Sequence, residues 1–167
     1  MGESGIMLRI MKILLVVSVA MWGFLGALGN ITGWSGTTGA VTAVTSMSTF
    51  EGGAASWQAT SNPAVILAGA LFIMLSKALA ALLCAVGGWR MWSARTADVN
   101  TFANAKTLAL SGCAVAVFML FGGFIVIGEG WFDLWRSDVL REQAAETAFR
   151  YGAMIALIGL FVGARDD

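Results

Sequence analysis

Lys77 lies inside GALFIMLSKALAALLCAV, an apolar stretch with no other charge, and it asks more of its surroundings than any other residue of the chain. A lysine near the centre of a membrane span costs about 2.5–3.5 kcal/mol on insertion scales, so such a side chain faces the bundle interior or water and takes a partner. No carboxylate sits in an apolar run of this sequence. Glu129 is the nearest in kind, but it stands at the outer end of a later run, beyond a lysine's reach. Two readings stay open. Lys77 is either a tolerated lysine turned into the bundle and satisfied by helix carbonyls or water, or half of an ion pair whose other half is a second subunit, a lipid phosphate or a ligand.

The remaining candidates offer less chemistry. Cys84 and Cys113 both fall inside apolar runs, where a thiol behaves as a small buried hydrophobe. Histidine is absent, which removes the usual haem and non-haem iron ligand and the commonest general base. Glu129, Asp133 and Glu142 have no nucleophile near them in sequence and read as a solvated face. Asn30-Ile31-Thr32 has only the form of a glycosylation acceptor outside the membrane. No phosphate-binding loop, dinucleotide fingerprint or HExxH pattern occurs. The sequence assigns no catalytic, cofactor-binding or metal-binding residue, and a non-enzyme is expected.

The elements that must position Lys77 follow from composition. Of 167 residues, 58% are hydrophobic and 12% charged, with a mean hydropathy of +0.80. Soluble domains are about 25% charged, so the chain belongs in a membrane. Ten basic and ten acidic residues cancel, leaving no field to gather nucleic acid. A span needs about 20 apolar residues. Four segments supply them, at about 8–28, 63–89, 107–128 and 148–164, in a single domain over 1–167. The first resembles a signal peptide in its basic start and its Ala27-Leu28-Gly29 site, but its apolar run is longer than a signal core, so an anchor is expected. The fold class is all-α, an integral membrane four-helix bundle.

Basic residues orient it. Arg9 and Lys12 precede the first span, Arg90, Arg95 and Lys106 lie between the second and third, and Arg165 follows the last. The connection 29–62 has no lysine or arginine, which favours cytoplasmic termini with that loop outside. Within it, Ala40, Val44 and Met47 share a helical face, and a short helix on the membrane surface or against the bundle is expected. Before the last span, Trp131, Phe132 and Trp135 cluster on one side of a helical turn, with Val139 following. This predicts an interfacial amphipathic helix with indoles at headgroup depth, usable as a belt or as a docking surface. Small residues stud the spans: Gly23, Gly26 and Gly29; Ala78, Ala81 and Ala85; Gly112 and Ala116; Gly122 and Gly123. They allow helices to approach closely.

An ordered series of short pieces from residue 29 to about 150 carries a family resemblance. It comprises Gly29-Asn30, Ser46-Met47-Ser48-Thr49-Phe50, Trp57, Pro63, Phe102, Lys106 and Gly123-Phe124. Ile127 through Phe132 follow, then Trp135, Ser137 and Ala148-Phe149-Arg150. In this the chain resembles a bacterial family of predicted small integral membrane proteins, domain of unknown function 2165. It departs from the family's pattern in three places. The outer loop lacks the acid of a Met-Asp-Thr-Thr-Phe pattern, Ile127 to Phe132 orders its glycine and glutamate differently, and Lys77 stands where relatives tend to carry glutamate. The last departure argues against a proton-relaying intramembrane carboxylate. The resemblance implies four spans and no particular activity.

Together these readings favour a non-catalytic accessory subunit of a larger bacterial inner-membrane complex, respiratory or photosynthetic. It would stabilise that complex through helix packing and lipid contacts, with Lys77, Trp131, Phe132 and Trp135 meeting partner or ligand. No cofactor is expected, and the partners are other integral membrane subunits and membrane lipids. The alternative is a small oligomeric transporter or channel with Lys77 on its path.

Overall fold

From Glu3 to Thr32 no proline or glycine pair interrupts the apolar run, and it forms one helix, α1. Its 30 residues rise about 45 Å at roughly 1.5 Å each, more than the about 30 Å of hydrocarbon in a bilayer. The computed structural model describes residues 3–166. At Gly33 the backbone leaves helical geometry, and the chain turns into α2 (Trp34–Thr45). This helix is tucked against the second span, with Val41 close to Gly69. A connection with a single 3-10 turn, Gly53–Ala55, follows; in it Met47 is fully buried with φ of 52°, and Thr60 N–H donates to Thr45 O at 2.8 Å.

The second span is α3 (Pro63–Ser93). Proline suits its first turn, and the Asn62 side chain accepts the Ala64 N–H at 2.9 Å. The third begins earlier than its apolar run suggests, with α4 (Val99–Ala105) capped by Asp98, whose carboxylate accepts from the Asn100 and Thr101 amides. It continues through α5 (Thr107–Val117) into a π-helical stretch, Phe118–Glu129. The last spanning helix also starts early. It runs 26 residues over Asp138–Gly163, as α6 (Asp138–Leu140), a second π-helical stretch (Arg141–Glu146) and α7 (Thr147–Gly163).

The bundle is laid out as α1 on α3, α3 on α5, α5 on α7, with α7 closing back on α1. Trp22 and Tyr151 meet across that closing contact, their ring centroids 5.9 Å apart. Small side chains fill its centre: Ala80, Cys84, Ala109 and Ala116 are buried, while Leu14, Phe24, Leu82, Phe118 and Leu160 face outward. Lipid solvates large apolar groups as well as a core does, so close backbone approach decides which residues go inside.

One expected element takes a different form. Residues 131–137 make no separate amphipathic helix. Asp133 adopts a left-handed conformation (φ 49°), which breaks helical register after Phe132, and only one 3-10 turn, Leu134–Arg136, follows before α6. Trp131, Phe132 and Trp135 therefore do not share a face. Trp131 packs edge-on against Trp57 of the first loop at 5.2 Å, Phe132 turns inward and is buried, and Trp135 stays exposed.

Candidate functional site

The small residues of α1 explain how Lys77 is accommodated. A methyl group on Gly23 would stand 2.8 Å from the Lys77 carbonyl oxygen, and one on Gly26 would stand 3.0 Å from Lys77 Cδ. The lysine stem thus lies in a groove that glycine opens, and its Nζ donates to Asn30 Oδ1 at 2.8 Å. Asn30 is itself aimed, because its Nδ2 donates to Thr37 Oγ1 at 2.8 Å across the Gly33 break. Gly23, Gly26 and Asn30 stand at i, i+3 and i+7, one face of α1. That spacing is the sequence signal that leads from the glycines to Asn30, which otherwise stands out only in the Asn30-Ile31-Thr32 motif and the Gly29-Asn30 piece of the family resemblance.

Lys77 and Asn30 border a part-open chamber of 410 Å³ among α1, α2, α3, the third span and the start of the fourth. Its walls are apolar, with Val41, Val44, Phe72, Ile73, Phe124 and Phe132 prominent among them. Its polar side chains are Lys77, Asn30, Thr37 and Thr45. Both π-helical stretches contribute wall, through Gly123, Phe124, Ile127 and Gly128 and through Ala144. Such widened turns recur at functional sites because they displace side chains from the regular helical stripe.

At the opposite end of the bundle, Arg9, Lys12 and Lys106, which the positive-inside pattern places at span ends, are buried together with Asp166. Arg9 Nη1 donates to the Arg95 and Ala97 carbonyls at 3.1 and 2.7 Å, and its guanidinium lies over the Phe102 ring. Arg9 Nε and Nη2 meet no acceptor among the described residues. One turn on, Lys12 Nζ reaches Asp166 Oδ1 and the Ala164 carbonyl, each at 2.7 Å. Lys106 converges on the same two residues through Asp166 Oδ2 and Ala164 O. Burial alone would raise the Asp166 pKa, but the hydrogen bonds and charges of Lys106 and Lys12 prevail and hold its carboxyl below the ordinary carboxylate value. This clamp joins the first, third and last helices, and places both ends of the described chain on one face of the bundle.

The four residues expected to pack helices divide. A Cβ on Gly112 would meet Cys84 Sγ at 2.5 Å and Cys84 N at 2.9 Å, and Ala116 is fully buried. Gly123 faces Phe72 of α3 at 3.0 Å. Gly122 does not pack on another helix: a Cβ there would meet only the Phe118 ring, 3.6 Å away in its own helix. Gly87, which sequence reading passed over, makes the closest approach to Ala109. Among the described residues no group of three or more Cys, Asp or Glu side chains is placed to hold a metal.

An all-helical chain with four helices long and apolar enough to cross a bilayer, packed through glycine and alanine, is a small multi-span integral membrane protein. Within that class it belongs to the family of predicted small integral membrane proteins of domain of unknown function 2165, whose model matches residues 8–164. No curated protein and no solved structure matches the chain.

Proposed function

We propose that this protein is a non-catalytic accessory subunit of a larger bacterial inner-membrane complex, of respiratory or photosynthetic type, held there by helix packing. The observation that carries the proposal is an apolar groove of 980 Å³ running along the outward faces of α1 and α3. Ala78, Ala81, Ala85 and Gly88 form part of its lining, and Phe24 and Trp89 are among the larger side chains beside them. Lipid needs no such seat. A transmembrane helix does, because dispersion contacts grow where small residues admit a neighbouring backbone. Arg9, Lys12, Lys106, Arg90 and Arg95 all belong to the same end of the bundle, and this supports cytoplasmic termini by the positive-inside bias.

The test is purification from native membranes in mild detergent with mass-spectrometric identification of what accompanies the chain. Under this proposal a stoichiometric set of larger membrane subunits co-purifies. Ala78→Trp with Ala85→Trp, both at exposed positions, abolishes that association while shifting the stability of the isolated chain by less than about 0.5 kcal/mol. Recovery of the chain alone as a homo-oligomer would overturn the proposal and direct attention to transport along a path containing Lys77.

A further inference from the structure

We propose that the chamber beside Lys77 is a binding site for an anionic amphiphile, a molecule with a carboxylate or phosphate head and one apolar body. The volume, 410 Å³, falls within the about 300–1,000 Å³ typical of small-molecule sites. Such sites combine apolar walls with few, well-aimed polar groups, and this one has that composition. Its walls are contributed by aliphatic and phenyl side chains, and its cationic group is the Lys77 ammonium.

The ammonium leaves bonding capacity for a ligand. Lys77 offers three N–H donors, and among the described residues one is used, on the neutral oxygen of Asn30. No described carboxylate pairs with it. A neutral amide does little to offset the cost of a charge at this depth, whereas an anionic head supplies both acceptors and counter-charge. The Thr37–Asn30 hydrogen bond fixes the amide with its oxygen toward Lys77, and the glycine groove of α1 fixes the stem, so the ammonium is held in place before any ligand arrives. Preorganisation of this kind lowers the ordering cost of binding. The apolar walls select for a body: a bare anion would leave Phe72, Ile73, Phe124 and Phe132 facing water or a void.

Binding to the full chain in phosphatidylcholine bicelles tests this, with dodecyl phosphate, dodecanoate, dodecanol and inorganic phosphate as probes. Dodecyl phosphate and dodecanoate are expected to bind, each more tightly than dodecanol by about 10–100-fold, the worth of one charge-assisted hydrogen bond. Inorganic phosphate is expected not to bind at the same concentrations. Lys77→Met removes that preference for the charged probes, and Lys77→Arg retains it. Should Lys77→Met fail to fold, Ala144→Trp keeps the lysine and narrows the chamber, and it is expected to weaken the two twelve-carbon anions by at least about tenfold. Equal binding of dodecanol, equal binding of inorganic phosphate, or unchanged affinity in the folded variants would each overturn the proposal.

Discussion

Asp166→Asn lowers the stability of the folded chain in detergent by about 3–5 kcal/mol, the cost of removing one member of a buried ion pair. Asparagine matches aspartate in size, so the loss comes from charge: Lys12 and Lys106, both buried, keep their ammonium groups and lose their shared anion. The expectation is specific to unpaired charge. Replacing all three residues together, by Lys12→Met, Lys106→Met and Asp166→Leu, recovers most of the stability, because apolar groups of similar volume substitute well for buried ion pairs. Equilibrium unfolding of the parent, the single variant and the triple variant decides the matter, and an unaltered midpoint in the single variant would refute a stabilising clamp. The pH dependence has a definite sign. A carboxyl held below its ordinary value contributes its stability above about pH 4 and loses it as pH falls through the lowered native value. Melting between pH 5 and 8 is thus insensitive to this group.

Gly112→Val is the second large effect, with a loss of about 3 kcal/mol, the upper end of overpacking in a filled core. The new Cβ would fall 2.5 Å from Cys84 Sγ, 2.9 Å from Cys84 N and 3.0 Å from Ala80 O. Two of these three neighbours are backbone atoms, which no rotamer change relieves, so α3 and α5 must separate. Gly122→Ala is the control in the same span. Only its own helix's Phe118 lies near, so that variant stays within about 1 kcal/mol of the parent. Thermal unfolding of both variants in one detergent makes the comparison, and similar losses would show that small residues here are not selected by helix contact.

Four spans were legible because length and apolarity are properties of single segments. Lys77 was legible as an outlier, since charge at that depth demands an explanation wherever it occurs. Gly112, Ala116 and Gly123 were legible as helix contacts, but Gly122 carries the same small-residue mark and meets only Phe118 of its own helix, because small size alone does not say which face of a helix a residue occupies. The partner of Lys77 was not found, since Asn30 lies 47 residues away and its role depends on the bend at Gly33. Phe132 was misplaced for a related reason: a left-handed Asp133 resets the register, and aspartate adopts that conformation too seldom for pattern reading to foresee it. The Asp166 clamp escaped notice because three terminal or loop charges become buried only when three helices converge.

That convergence also sets an order of events during synthesis. Lys12 and Asp166 are 154 residues apart, so at about 5–20 residues per second the lysine leaves the ribosome roughly 8–30 s before its counter-ion. Throughout that interval Lys12, beside Arg9 at the start of α1, is a cation without its carboxylate, available to the charge bias that decides which way that helix inserts. Only translation of Asp166 converts the same lysine from an orienting signal into a buried structural tie.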